Sequence, residues 1–511
     1  MYEVTASKNI EAYLSRFESS LESNSKSTIL KSVKDLKNIL RDAKNEKDIT
    51  KKRIAEKVSR FLFNLIAEEP TQISMISEEY LGLVELCLEL DPENILAGFA
   101  KLAYLSAVDP EKAKKWAFSI KELIYTLENT PQKVLYLEVL ATRLVSLGLL
   151  TDAVALCKDA IDICFQLNNE KEKLRAISKY IETLADAQIY MDCDEFIKIA
   201  EKLAQKYKGY LGMRFYRTYS YYMLRVKQDL NTAWKFLGKA EALCKNATQL
   251  EEIEFAYVLY TKSLIYMRKG LFDESITTLK MALGILEKNE WRHRPVVSNI
   301  TLGVISMLTG DYDTAEHYFN RYIDSKGIYI TPLDNLIYYV YSSILSILKQ
   351  DYEAFNKNIV LLKKYHIILR NQMKQMNLHI HNKVCLLFEI SEYIFNKETL
   401  TELCKSIHPK LSSMLHKKTK IGERTDAVYD MLKYVESKLL YPLSNGNYSE
   451  FIKNIKTCKK EFLFKLEETK ESEQIKKNIL KHILSILNEM SKNPHEPSNI
   501  LSLLGIIITI V

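Results

Sequence analysis

Apolar residues recur at helical spacing along most of this chain, and the polar breaks between the stretches repeat with a period of about 40 residues. Aligned on the turn between two helices, Val108, Gly148, Gln228, Gly270, Gly310 and Gln350 stand 40, 80, 42, 40 and 40 residues apart, and Met191 fills the doubled gap. Two positions after these anchors comes a large side chain, Leu150, Leu230, Phe272, Tyr312 or Tyr352, with Pro110 the exception. Five positions after them comes a small one, Ala113, Ala153, Ala233, Ser275 or Ala315, a rule broken by Phe196 and Phe355. Nine positions on, Ala117, Cys157, Ala200, Leu237, Leu279, Phe319 and Ile359 continue the same stripe by one turn. A small residue in the middle column lets two helices approach closely, so the three columns together predict stacked helix pairs in a common register. Pro92, Pro131, Pro295 and Pro332 precede their anchors by 16, 17, 15 and 18 residues. Proline is tolerated in the first turn of a helix and excluded from its interior, so each marks the start of a first helix of roughly fifteen residues.

The run Asn299 to Phe319, with Leu302-Gly303, Gly310-Asp-Tyr312, Ala315 and Phe319 in order, resembles the tetratricopeptide repeat (TPR) family. Gly270-Leu-Phe272 through Ser275, Leu279 and Ala282 fits nearly as well, and Gly148-Leu-Leu150 through Ala153 and Ala160 is a third such stretch. The departures are Asn299 and Leu259 where the family carries Trp, and a period near 40 instead of about 34, which keeps a HEAT-type array as a rival. The resemblance covers residues 92–365. It implies an all-α, TPR-like solenoid, a right-handed superhelix whose first helices line a concave groove that binds a peptide or helix. Carried onto this chain, the groove residues are Phe215, Tyr222 and Arg225, then Tyr257, Tyr260 and Met267, then Ile300, Val304 and Met307. Tyr260, Ile300 and Thr218 stand where a carboxylate clamp would need Lys or Asn, which disfavours acidic C-terminal tails as ligands.

Outside the array, residues 1–75 read as an N-terminal helical cap with a polar break at Ser19 to Ser27, ended by Glu68-Glu-Pro70-Thr-Gln. Residues 76–365 hold about seven helix pairs, and residues 366–511 form a looser helical region in which Gly446-Asn-Tyr448 marks one more degenerate unit. The chain closes on the apolar run Ile500 to Val511, shorter than the roughly 20 residues that span a bilayer. It reads as a packed terminal segment, with a partner-docking or membrane-contacting tail as the alternative.

Composition agrees with a helical array. Fourteen Gly and ten Pro in 511 residues are roughly half the usual share and too few for a fold of many tight hairpins. Eight scattered cysteines, with Cys157 and Cys164 on one helical face, argue against a disulfide framework or a zinc knuckle. Met1 to Leu14 has no apolar core of signal-peptide length, so a cytoplasmic, reducing location is expected.

Charge divides unevenly. Residues 1–350 hold 47 Lys+Arg and 47 Asp+Glu, whereas residues 351–511 hold 25 and 18. Lys410, Lys417, Lys418 and Lys420 head a basic patch that suits an acidic protein, an anionic membrane or nucleic acid phosphates, unless it is merely a solvated face.

Phosphate-cradling glycine loops, His-Glu-x-x-His and Gly-x-Ser-x-Gly are all missing, and His379 and His381, two apart on a helix, diverge too far to share a metal. The expectation is a non-enzymatic scaffold or adaptor that needs no cofactor and binds a protein or peptide. The alternative is a TPR-containing regulator whose basic C-terminal third contacts nucleic acid. Oligomeric state is not encoded in these patterns.

Overall fold

A computed structural model describes residues 2–22, 25–68, 77–187, 189–244, 248–289, 295–324, 332–373, 379–396, 399–416, 427–470 and 473–510. Every regular element among them is a helix. Two compact units result, Met1–Ala176 with Asp324–Leu333 and Ile177–Ile323 with Asp334–Val511.

Unit 1 holds α1 (Tyr2–Glu22), α2 (Lys26–Asp42), α3 (Asp48–Glu68), α4 (Ser77–Leu90), α5 (Ile95–Val108), α6 (Pro110–Thr126), α7 (Pro131–Leu147), α8 (Leu150–Gln166) and the first turns of α9 (Glu170–Ala187). Ile29, Val33, Leu36 and Leu40 form one buried stripe of α2 at i, i+4, i+7 and i+11, the signature of a helix buried on one side. Tyr80 is fully buried and its hydroxyl donates to the Leu62 carbonyl at 2.9 Å, tying α4 to α3. The polar break is narrower than the pattern suggests, because α1 runs on to Glu22 and α2 begins at Lys26.

Unit 2 continues α9 and adds α10 (Asp194–Lys206), α11 (Tyr210–Tyr222), α12 (Leu230–Leu243), α13 (Gln249–Arg268), α14 (Phe272–Lys288), α15 (Pro295–Leu308) and α16 (Tyr312–Asp324). Then come α17 (Pro332–Leu348), α18 (Tyr352–Met373), α19 (His379–Asn396), α20 (Leu400–His416), α21 (Ala427–Val435), α22 (Tyr441–Ser444), α23 (Tyr448–Glu468), α24 (Gln474–Lys492) and α25 (Pro497–Ile510). Single π-turns, Met223–Lys227 and Glu436–Leu440, extend α11 and α21.

The corners fall where the repeat places them. Gly148, Gln228, Gly270, Gly310 and Gln350 all take positive φ, between 57° and 83°, and so does Gly446 in the degenerate unit. At five of these six the same pair of bonds closes the helix. Gly270 N–H donates to Met267 and Leu271 N–H to Tyr266, and the pattern recurs at Gly148, Gly310, Gln350 and Gly446. This is the Schellman closure, which satisfies the last carbonyls of the first helix and reverses the chain within one residue. Val108 and Met191 are the exceptions, for neither takes positive φ; after Val108, Asp109 caps α6 by accepting from Lys112 N–H, with Pro110 in the first helical position. Pro131, Pro295 and Pro332 begin α7, α15 and α17, whereas Pro92 falls short of α5, whose cap is Asn94.

The columns pack as their sizes require. Ala113, Ala153, Ala233, Ser275 and Ala315 are fully buried, and Ala117, Cys157, Ala200, Leu237, Leu279, Phe319 and Ile359 are at most 2% exposed. Gly303 shows the tightest fit, because a Cβ there would lie 2.5 Å from Cε1 of the buried Phe319 ring. An exposed helical glycine, Gly284, has nothing within 4 Å of the same position. Gly303→Ala should therefore cost about 1–3 kcal/mol through overpacking, whereas Gly284→Ala should gain up to about 1 kcal/mol from helix propensity. Urea unfolding of both variants checks the opposite signs.

Candidate functional site

The first helices of successive pairs carry the features that a binding face would use. In unit 2 these are α11, α13, α15, α17 and α19, and three zones follow one another along them.

The first zone is a buried charge ladder. Arg217 on α11 is 4% exposed and lies between two acids, with Nη1 3.0 Å from Glu182 of α9 and Nε 2.7 Å from Glu254 of α13. Glu182 also receives Arg214 and Lys179, each at 3.4 Å, and the Tyr257 ring lies 5.6 Å from the Arg217 guanidinium. Burial alone would lower the Arg217 pKa, but the Glu254 and Glu182 carboxylates more than offset it and the net shift is upward. In unit 1 the same device joins Arg175 of α9 to Glu138 of α7. These residues recur 35 to 37 apart, so a charged residue returning to one register of the first helix was the signal in the sequence. The apolar columns did not contain it.

The second zone lies around Arg225, in the π-turn after α11. Its guanidinium is 5.7 Å from the Tyr221 ring, and Tyr260, Asp186 and Tyr341 are its further electrostatic neighbours, which together raise its pKa. Nε is buried and finds no hydrogen-bond acceptor. Arg225, Tyr257, Tyr260 and Met267 remain half-buried. Tyr257 packs against the core cluster of Ile253, Ala256, Leu259, Ala282 and Leu286, and Tyr260 against that of Leu279, Leu283 and Leu302.

The third zone is occupied by the chain's own end. α25 packs against α15 and α19, and its Gly505 passes close to Ile344 and Leu348 of α17. Ile500, Leu501, Leu503, Leu504, Ile506, Ile507 and Ile508 are all at most 2% exposed, so the apolar run is a packed segment. Lys383 on α19, 6% exposed, donates to the Thr509 carbonyl at 2.8 Å. A cation at the C-terminal turn of a helix complements both its unpaired carbonyls and its dipole. Lys133 does the same in unit 1, donating to the Leu127 carbonyl at 2.7 Å.

Two contacts clamp α24 beside it. Ile475 N–H donates to Asp273 Oδ2 at 2.9 Å, and His482 bridges the Leu308 carbonyl at 2.9 Å and the Tyr312 hydroxyl at 2.7 Å. A carbonyl only accepts, so His482 Nδ1 carries the proton and Nε2 accepts from Tyr312. Burial lowers the His482 pKa below its usual 6.5, partly opposed by the bond to Leu308.

Of the predicted groove residues, Phe215, Tyr222, Ile300, Val304 and Met307 are thus buried, and Tyr222 donates to the Met191 carbonyl at 3.2 Å to fasten a corner. Phe215 stacks on Tyr219. In the basic patch, Lys410 contacts Glu389, while Lys417, Lys418 and Lys420 lie outside the described residues. The side chain of His379 also lies outside them. His381 stacks on His366 and sits 3.7 Å from Cys385 Sγ. No group of three His, Cys, Asp or Glu among the described residues is placed to hold a metal ion. A groove of about 680 Å³ in unit 1 is lined by Ile49, Lys52, Arg53, Glu93, Glu128 and Tyr136, and its mixed charges select no ligand sign. No described helix is long and apolar enough to cross a membrane.

Comparison with known proteins adds little to this geometry. No family model matches the chain. No curated protein matches it. One solved structure, a circular tandem repeat protein with novel repeat topology and enhanced subunit contact surfaces, is 13% identical, with 96% of this chain and 98% of that chain covered, at a TM-score of 0.20. That score carries no argument, and the helical-repeat fold rests on the corners and columns of the chain itself.

Two outcomes follow. Arg217→Met leaves Glu182 and Glu254 facing each other without their shared cation and should cost about 3–5 kcal/mol in urea unfolding. Adding Glu254→Gln should recover part of that loss. For His482, a lowered folded pKa means that its stabilisation is present above pH 6.5 and is lost as pH falls. The gap in melting temperature between the native chain and His482→Phe should accordingly be widest above pH 7 and shrink towards pH 5, followed by circular dichroism.

Proposed function

We propose that this chain is a TPR-like, non-enzymatic scaffold or adaptor that binds a peptide or helix of a protein partner along the first-helix face of unit 2. The observation that carries the reading is α25 itself, a helix already lying against α15, α17 and α19. A face that accommodates one helix in this way has the shape and apolar character for helix-in-groove recognition. The half-buried stretch of Arg225, Tyr257, Tyr260 and Met267 supplies the residue types, Arg and Tyr, that dominate interface energetics. The TPR assignment itself is supported by the Gly303–Phe319 contact and the left-handed corners. Lys410 is engaged by Glu389 and Lys417, Lys418 and Lys420 lie outside the described residues, so no observation favours the alternative reading of a basic region that contacts nucleic acid.

A photoreactive amino acid at Met267 of the full chain, irradiated in the native cell, should give one predominant protein adduct. The same group at the exposed Met281 of α14 (55% exposed) should give none. Arg225→Ala should cut the Met267 adduct roughly tenfold, as expected for losing a side chain that contributes about 1.4 kcal/mol. Equal adducts at both positions, or none at Met267, would remove this face from consideration.

A further inference from the structure

α18 carries a second pattern besides the one that packs it. Phe355, Ile359, Leu362 and Leu369 are buried along one side, at i, i+4, i+7 and i+14. On the opposite side Val360 is 61% exposed and Ile367 71%, with Leu361 on their flank at 37%. Val360 and Ile367 are seven residues apart and lie on one line along the helix, and Lys363 and Lys364 stand one on each side of that line. Both lysines are exposed, and neither is in an ion pair with a described residue. Their ammonium groups lie 5.7 and 5.8 Å from the Phe388 and Tyr365 rings. The one acid in the sequence of α18, Glu353, is taken by Lys357 at 2.7 Å. The outer side of α18 is therefore an aliphatic line with an unpaired cation on either flank.

We propose that this face of α18 lies on an anionic phospholipid surface, with Val360 and Ile367 entering among the headgroups and Lys363 and Lys364 bound to the lipid anions beside them. A lipid surface is the occupant that uses both halves of the pattern. Nucleic acid would take the lysines but leave Val360 and Ile367 in water, because bases stack on aromatic rings and these side chains are aliphatic. A second copy of this chain would cover the aliphatic line but set Lys363 and Lys364 against the same lysines. Side chains this exposed project from the helix, and a bilayer takes them without the matching pocket that a protein partner would have to supply. The lysine stems are long enough to keep their ammonium groups at the headgroups while the aliphatic side chains sit deeper. Such a contact lies on the membrane and does not cross it.

The test floats the full chain with vesicles in a density gradient. The unaltered chain should rise with vesicles of equal parts phosphatidylserine and phosphatidylcholine and stay down with phosphatidylcholine alone. Lys363→Glu with Lys364→Glu, or Val360→Asn with Ile367→Asn, should weaken partitioning by about tenfold or more. Lys453→Glu with Lys456→Glu, which changes two exposed lysines of α23, should leave it within about twofold. No rise with phosphatidylserine, full binding by the α18 variants, or an equal loss in the α23 variant overturns the proposal. Binding to polyuridylate without binding to vesicles overturns it too and assigns the lysines to nucleic acid. Unchanged thermal melting shows that the variants are folded. Where one melts early, an environment-sensitive fluorescent amino acid at Ile367 of the full chain decides: its emission should shift to the blue on the anionic vesicles, and an unmoved emission overturns the proposal. This inference goes beyond the scaffold reading and shares no residue with the face around Met267, so either can fail without the other.

Discussion

The array depends on a backbone constraint: at each regular corner one residue must sit at positive φ. The left-handed residue closes the first helix and sends the chain back antiparallel, and only then can the small and large columns of the pair meet. Glycine adopts this geometry at little cost, which is why Gly148, Gly270 and Gly310 stand there. Gln228 and Gln350 adopt it without glycine's freedom. At Gln228 the preceding π-turn shares the reversal, with Asp229 N–H reaching back to the Met223 carbonyl. From these corners the rest follows: the fully buried alanine column sets how close the helices lie, and Phe319 fills the gap that Gly303 leaves open.

Apolar stacking by itself is permissive about register, since one Leu or Ile face slides over another with modest change in buried area. The charge ladder is not. Arg217 meets both acids only when α9, α11 and α13 are aligned, and a slip of one helical turn would leave buried charges unpaired, which costs more than the pair contributes when made. The ladder thus specifies alignment more than it adds stability, and the Glu138–Arg175 contact serves the same end in unit 1.

The sequence was legible wherever the information was local. Corner, small-residue and stripe positions repeat within each pair, so Gly310, Ala315 and Phe319 could be placed from spacing alone, and Gly446 with them. It was not legible where the decisive contact joins residues far apart. Nothing near Ile300, Val304 or Met307 signals that their helix is covered by residues 497–510, and family geometry therefore assigns them to an open groove although they are buried. Lys383 escaped notice for the same reason: in sequence it is one lysine of a basic region, and only the fold brings it to the Thr509 carbonyl. Pro92 was misplaced for a local cause, because Asn94 is the better helix cap and accepts the Ala97 N–H.

The covered face also changes how stability is distributed. In an open solenoid each pair supports only its neighbours, so a weak pair frays without consequence two pairs away. Here α24 and α25 return to pairs far back in the chain, with contacts that join Asp273 to Ile475 and Tyr312 to His482 across 202 and 170 residues. Closing such loops has an entropic cost that grows only slowly with their length, and the seven buried Ile and Leu side chains of α25 outweigh it readily. The pairs from α13 to α19 are thereby joined through a common element as well as through their neighbours. Disturbing α25 should be felt at Ile344, which Gly505 approaches, and disturbing α24 at Gly310, which lies against the His482 ring.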